Sequence, residues 1–255
     1  MLIDELLVVA ELLGVQTLPS VLRVRPGHDS AAAWTALRAS AMRSLRSAGL
    51  LDAYADVDCE LADALRTLEH PERELAMHIY TESGNRQACL VRHGAQHALA
   101  VRNGDAVEIA GIWADDGAAL ASPVIAVIGS GAPADTVPLR GLTCDILDCL
   151  DTAREPSDYI RLLARFGMSE TDALEFGIAM SHCVTRVEIV AYDHVSGGRS
   201  SGAAVYDTHR GRIVAVPTTA ADGQCWTTLL PGSDHNVAGA ISGLVRAMPS
   251  HRWMA

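Results

Sequence analysis

The apolar residues of this chain change twice from helical spacing to strict alternation, each time after a group of helices. That order limits the possible folds more than any other feature. Up to residue 70 the apolar positions recur at three and four: Leu2, Leu6, Val9 and Leu13, then Trp34, Leu37, Ala41 and Leu45, then Val57, Leu61, Ala64 and Leu68. Gly14 and Gly49 end the first two helices, Ser30 can cap the second, and His70-Pro71 closes the third. Residues 18–24 contain Pro19 and predict a short edge strand between helices. From Arg73 the period is two, and four strands are expected over 73–80, 85–91, 96–101 and 105–112. Their turns lie at Glu82-Ser83-Gly84, His93-Gly94 and Asn103-Gly104-Asp105. Asp115-Asp116-Gly117 then leads into a helix over 118–128 that Pro123 interrupts.

The second half repeats this order. Helices are expected over 142–150, 157–166 and 171–182, the last opened by Ser169 with Asp172 three residues on, as in a capping box. Strands follow over 185–195, 201–208, 212–217 and 226–230, with Ser196-Gly197-Gly198 supplying the positive φ angles of a hairpin turn. Ser233 and Asp234 can cap a last helix carrying Val237, Ile241, Leu244 and Met248 on one face. The expectation is an α+β fold in which a central antiparallel meander sheet is flanked by helical bundles. It would comprise two pseudo-twofold-related lobes, residues 1–131 and 141–255, packed as one compact unit. Residues 132–140, with Pro133 and Pro138, are the linker candidate.

Charge narrows the function. With 31 acidic against 20 basic residues the net charge is −11, which argues against nucleic acid as the main partner, because binding it requires a positive field. Every basic residue is arginine. Without a lysine amine, Walker A loops, pyridoxal phosphate Schiff bases and amine-based aldol chemistry are all excluded. The N-terminal residues carry Asp4, Glu5 and Glu11 where a signal peptide is basic, and no window holds the roughly 20 apolar residues of a membrane span, so a cytoplasmic protein without membrane insertion is expected. Cys59, Cys89, Cys144, Cys149, Cys183 and Cys225 lack CxxC spacing and read as reduced thiols.

No motif points to catalysis. His93, His97, His182, Cys183, His194, His209 and His235 show none of the spacings that present metal ligands together, so no metal is expected. There is no Gly-x-Ser-x-Gly elbow, and the pairs Asp115-Asp116 and Asp4-Glu5 are adjacent, which suits a turn and a helix start. The run 124–134 ends in Gly129-Ser130-Gly131-Ala132-Pro133-Ala134 and looks like a dinucleotide-binding turn. Such a turn needs a helix N-terminus directly after it, and Pro133 and Pro138 oppose one. A small-molecule or nucleotide-binding protein or enzyme built on Gly129-Ser130-Gly131 is therefore the alternative, and a helix ending in a glycine cap is preferred.

The segment VEIVAYDHVSGGRSSGAAVYDTHRGRIVAVPTTAADGQCWTTLLPGSDHNVAGAISGLVRAMP resembles the C-terminal part of the EspG family, chaperones of type VII (ESX) secretion. ELLVVAELLGVQTLPSVLRV is similar to that family's opening, and ALAVRNGDAVEI to its central hairpin. The resemblance implies a cytosolic chaperone without cofactor or turnover. Its partner would be a PE/PPE heterodimer, contacted through the PPE subunit, whose hydrophobic tip it shields for export. When free it would be a monomer or weak homodimer. It also implies a binding surface made by the central sheet, the loop between its second and third strands, and the C-terminal helical bundle. By position this gives Arg86, Arg92, His93, Gln96 and His97 on the meander, and Arg165, Phe166 and Met168 at a helix end. Where several members carry a long Gly-rich loop, this chain has His93-Gly94-Ala95, which points to a different secretion system or substrate set.

Overall fold

The structure is a computed structural model and describes residues 1–27, 30–114, 119–199 and 202–254. The Asp115-Asp116-Gly117 turn, Ala118 and Ser201 lie outside the described residues. The chain divides into two compact units, Met1–His78 with Asn85–Ala114, and Ile79–Gly84 with Asp115–Ala255.

In the first unit, α1 (Ile3–Leu13) buries Leu6 and Val9 and ends at Gly14, whose φ of 73° is left-handed. Leu2 departs from the expected stripe and is 53% exposed. It stands before the helix in extended conformation and bridges Ala106, while its amide donates to the Glu5 carboxylate. The edge strand expected over 18–24 is instead a 3-10 turn, Ser20–Leu22, that buries Val21 and Leu22. Pro19 removes an amide a ladder would need, and Arg23 at φ 49° turns the chain out of any strand path. α2 (Ala31–Ser47) is capped by Ser30 Oγ, which accepts from the Ala33 amide at 3.2 Å. α3 (Cys59–Glu69) is capped by Asp58 and buries Leu61, Ala64, Leu65 and Leu68.

Four antiparallel strands follow in the order β4-β3-β2-β1: β1 (Arg73–Thr81), β2 (Gly84–His93), β3 (Gln96–Asn103) and β4 (Ala106–Ile112). The pairs His93↔Gln96 and Asn103↔Ala106 close two-residue turns at Gly94-Ala95 and Gly104-Asp105, with both glycines at φ 59°. Ala88, Cys89, Leu90 and Val91 are all fully buried, so the middle of β2 is covered on both faces. α3 packs against β3 and β4, and the Met1 backbone pairs with Val107.

The second unit opens with α4 (Ala121–Ile128), ended by Gly129 at φ 82°. Residues 132–140, expected to be a linker, are tied into the unit. Pro133 bridges Arg212, and Leu139 and Arg140 begin β5 (Leu139–Leu142), which pairs antiparallel with Trp226–Leu229. Then come α5 (Thr143–Thr152), α6 (Pro156–Leu163), a 3-10 turn at Ala164–Phe166, and α7 (Glu170–Ser181), capped by Ser169. The strands are β6 (Cys183–Asp193), β7 (Gly198–Arg199), β8 (Ala203–Thr208), β9 (Gly211–Thr219) and β10 (Cys225–Pro231), and α8 (Asp234–Ala247) is last. They pair antiparallel in the order β6-β8-β9-β10-β5, with β7 on β6.

Alternation sorts this sheet's residues between two layers. Tyr206, Ile213, Ala215 and Leu229 join Ile146, Cys149, Tyr159, Leu163 and Phe176 of α5 to α7 in one core. The alternate residues Val205 and Val214 are also fully buried, and α8 packs on β8 and β9 with Val237, Ile241, Leu244 and Met248 inward. The chain is thus α+β, with large antiparallel sheet flanked by helices.

Candidate partner-binding surfaces

In the first unit the β2–β3 turn is held from below. Arg92 is 1% exposed: its Nη2 donates to Glu72 Oε2 at 2.5 Å and its Nη1 to the Gly94 carbonyl at 3.0 Å. The Glu72 amide in turn donates to the Arg92 carbonyl. His93 Nδ1 lies 2.8 Å from the His70 carbonyl, and Thr67 Oγ1 approaches Gln96 Oε1 at 3.5 Å. A two-residue turn fastened at these points has little freedom to reshape around a partner. His93 and Gln96 are exposed and Arg86 is half-buried, so these three reach the surface. Arg92 and His97 do not. His97 is 4% exposed, and their inward placement corrects the expectation that they present side chains outward. The reason is the register: Arg92 and His97 are cross-strand partners on the face that carries the ion pair with Glu72.

Burial, reinforced by the Arg92 charge, holds the His97 imidazole below its ordinary pKa, against a raising contribution from a hydrogen bond with Ala95. The folded protein therefore keeps His97 neutral where the unfolded chain, with a histidine pKa near ~6.5, already takes up a proton. Stability from this residue is present above about pH 6.5 and is lost as pH falls from there toward the folded value. His97→Gln is expected to lose less stability between pH 7.5 and 5 than the parent in urea titrations. An unchanged acid dependence would contradict this.

In the second unit, Arg165 Nη2 donates to the Asp145 carbonyl at 2.8 Å and lies 3.0 Å from Cys149 Sγ, while its guanidinium sits 5.0 Å from the Phe166 ring centroid. Phe166 is half-buried because Gly141 has no side chain: a Cβ there would collide with the ring edge. Met168, expected at the surface, is 9% exposed and belongs to the core, since the left-handed Gly167 at φ 80° turns the chain inward after Phe166. Arg165 and Phe166 thus remain as a stacked cation and ring at the end of α6.

Other exposed apolar side chains carry little signal in the sequence. Leu147 on α5 is 51% exposed and Leu174 on α7 37%, and in the first unit Trp113 is 76% and Tyr54 87% exposed. The signal available for Leu147 was its position one residue after the core position Ile146, which turns it about 100° away from the buried stripe.

Beside α5 a cavity of about 500 Å³ is lined by Leu147, Tyr159, Met180, Cys183, Arg186 and Tyr206, among others. Burial pushes the Tyr206 hydroxyl up to about 12 and raises the Cys183 thiol, so neither offers an ionised nucleophile near neutral pH. Among the described residues no group of three or more His, Cys, Asp or Glu could hold a metal ion. Among the described residues no helix is long and apolar enough to cross a membrane. The Gly129-Ser130-Gly131 turn also lacks what a nucleotide would need. After Gly131 the chain continues into the Pro133 bridge with Arg212, not into a helix, and a Cβ on Gly131 would lie 2.9 Å from Arg212 Nε. Gly131 is required by the Arg212 guanidinium.

The EspG family model matches residues 3–243. The chain is 30% identical to the ESX-1 secretion-associated protein EspG1 of Mycolicibacterium smegmatis, over 98% of this chain and 88% of that protein. It is 27% identical to EspG1 of Mycobacterium tuberculosis, over 99% and 88%, and 25% identical to the ESX-3 secretion-associated protein EspG3 of Mycolicibacterium smegmatis, over 98% and 87%. Among solved structures, the Mycobacterium tuberculosis type VII secretion system chaperone EspG5, in complex with the PE25-PPE41 dimer, has the same fold, with a TM-score of 0.79 and 19% identity over 99% of this chain and 97% of that one. A family model matched from α1 into α8, in a chain whose helix, meander and helix order is that of a solved family member, leaves one assignment: this chain belongs to the EspG family.

Proposed function

We propose that this protein is a cytosolic chaperone of type VII secretion that binds a PE/PPE heterodimer through its PPE subunit and holds it for export, without catalysis or cofactor. One observation carries the reading: the family match spans residues 3–243, and a chain with the same fold throughout is a chaperone seen with a PE-PPE dimer bound. The surfaces are consistent with such work, which requires affinity for the unsecreted cargo and no chemistry. Arg165 over Phe166, with Leu147 exposed on α5, offers the cation, ring and aliphatic groups that anchor protein interfaces. In the first unit His93 and Gln96 at the fastened β2–β3 turn, and Arg86 at the opposite end of β2, supply polar contacts.

Arg165→Glu and Leu147→Asp, made in the full chain, are expected to weaken recovery of the cognate PE/PPE pair in co-purification by about tenfold or more, the loss of one anchor residue. Both positions are exposed, so melting temperature should change little. If both variants, and His93→Glu besides, retain the pair at parental yield, these surfaces do not bind cargo.

A further inference from the structure

One charged feature of the first unit is used neither by the core nor by the proposed cargo surfaces. A cleft of about 600 Å³ is lined by Arg23, Arg25, Arg102, Asn85, Gln87 and Ser20. Among the described residues no Asp or Glu lines it, although acidic residues outnumber basic ones 31 to 20 in the chain. Arg102 is half-buried and fixed by three bonds: Nε to the Gly104 carbonyl at 2.8 Å, and Nη1 to the Leu22 and Arg23 carbonyls at 2.8 and 2.6 Å. Those bonds also hold the 3-10 turn that presents Arg23, whose φ of 49° throws its side chain off the path of the preceding turn. Arg23 and Arg25 are exposed, and neither has an ion pair among the described residues. Asn85 and Gln87, two apart on β2, share one face of that strand, and their carboxamides can both donate to and accept from a peptide backbone.

The cleft borders a second one of about 420 Å³, and Ser20, Arg23 and Arg25 line both. The second has a mixed lining, in which the half-buried Leu7, Val15, Leu18 and Val24 make an apolar half beside Gln16 and the shared Ser20, Arg23 and Arg25. Phosphate or a free nucleotide would satisfy the arginines and leave this apolar half unused. We propose that the two clefts together bind an extended segment of a protein partner in which acidic residues adjoin a bulky aliphatic one. The carboxylates lie against Arg23, Arg25 and Arg102, the backbone against Asn85 and Gln87, and the aliphatic side chain in the apolar half. Arg86, used in the cargo reading, alternates to the other face of β2 from Asn85 and Gln87, and the inference does not depend on which cargo the protein carries.

The test uses the ¹⁵N-labelled full chain titrated with the peptide acetyl-Gly-Leu-Asp-Glu-Asp-Gly-amide, followed by amide and side-chain resonances. Saturable shifts at Asn85, Gln87 and Arg102 are expected. Binding should weaken about tenfold in Arg23→Glu/Arg25→Glu, whose exposed positions keep the fold, and should weaken as salt is raised. Arg43→Glu, an exposed arginine on α2, should bind as the parent does. The Asp→Asn, Glu→Gln peptide and a Leu→Gly peptide should each bind more weakly. The inference is overturned if no resonance in the cleft shifts, if the double variant binds equally, or if inorganic phosphate, ATP or a single-stranded oligonucleotide shifts the same resonances while the Leu→Gly peptide binds as well as the parent peptide.

Discussion

Arg212→Ala is expected to lower stability by about 3 kcal/mol, roughly 6 to 12 °C in melting temperature for a chain of this size. Arg212 is 2% exposed in the middle of the second unit. Its Nε and Nη2 grip both oxygens of Asp207 at 2.5 and 2.9 Å, and its Nη1 donates to the Gly129 carbonyl at 2.8 Å. Its backbone accepts from the Ala134 and Gly232 amides and donates to Ala132. One residue therefore joins the end of α4, the segment before β5, and the end of β10. Removing the side chain leaves the Asp207 carboxylate without its cation and the Gly129 carbonyl without a donor. The side chain of Asp207 is 23% exposed, so water compensates in part, and the low end of the cost of breaking a buried pair applies. Arg212→Lys should recover less than half, because an ammonium cannot make the two parallel bonds and reach Gly129 as well. Adding Asp207→Asn to Arg212→Ala should restore some of the loss. Urea titrations showing less than about 1 kcal/mol would mean that the node is not holding the unit together.

Gly177→Ala should destabilise by about 2 kcal/mol, although alanine is the better helix former. A Cβ at this position on α7 would lie 2.5 Å from the Pro156 carbonyl oxygen and 2.7 Å from Tyr159 Cδ2 on α6. The oxygen is backbone and cannot move without shifting α6, whose Tyr159 packs edge-on against Phe176 at 5.5 Å. Gly239 and Gly243 on α8 provide the comparison, since a Cβ on either meets nothing within 4 Å. There the same substitution should stabilise by about 0.5 to 1 kcal/mol. Opposite signs from one chemical change would separate packing from helix propensity. The same sign at all three positions would deny the close approach of α6 and α7.

Most of the element order was legible because turns and apolar periods agree along the chain. Asn103-Gly104, His70-Pro71 and the Ser233 cap each fall where the structure ends or starts an element. What escaped depends on distant partners. Leu139–Leu142 is a strand because β10 pairs with it, and four residues directly after Pro138 carry no local sign of that. Trp253, 2% exposed, likewise packs without any periodic pattern around it. The Arg212 node had a faint signal: Asp207 and Arg212 stand opposite each other across the β8–β9 turn, the place where opposite charges support a hairpin. The binding surface was less legible still. Arg92 and Arg86 look alike in sequence, and only the cross-strand register and Glu72 decide that Arg92 turns inward. Gly131 shows the converse error, since a glycine pattern suggesting phosphate is explained by an arginine 81 positions later in the chain that needs its space.

The central claim is that this chain holds a PE/PPE pair, and co-expression with each pair encoded in the same genome, followed by size exclusion with light scattering, tests it most directly. The account predicts a stable ternary complex with one pair or a few related ones, the masses adding to one copy of each chain, and none with the others. If the protein stays folded and elutes apart from every pair, the family fold is present here without the chaperone function, and the proposal fails.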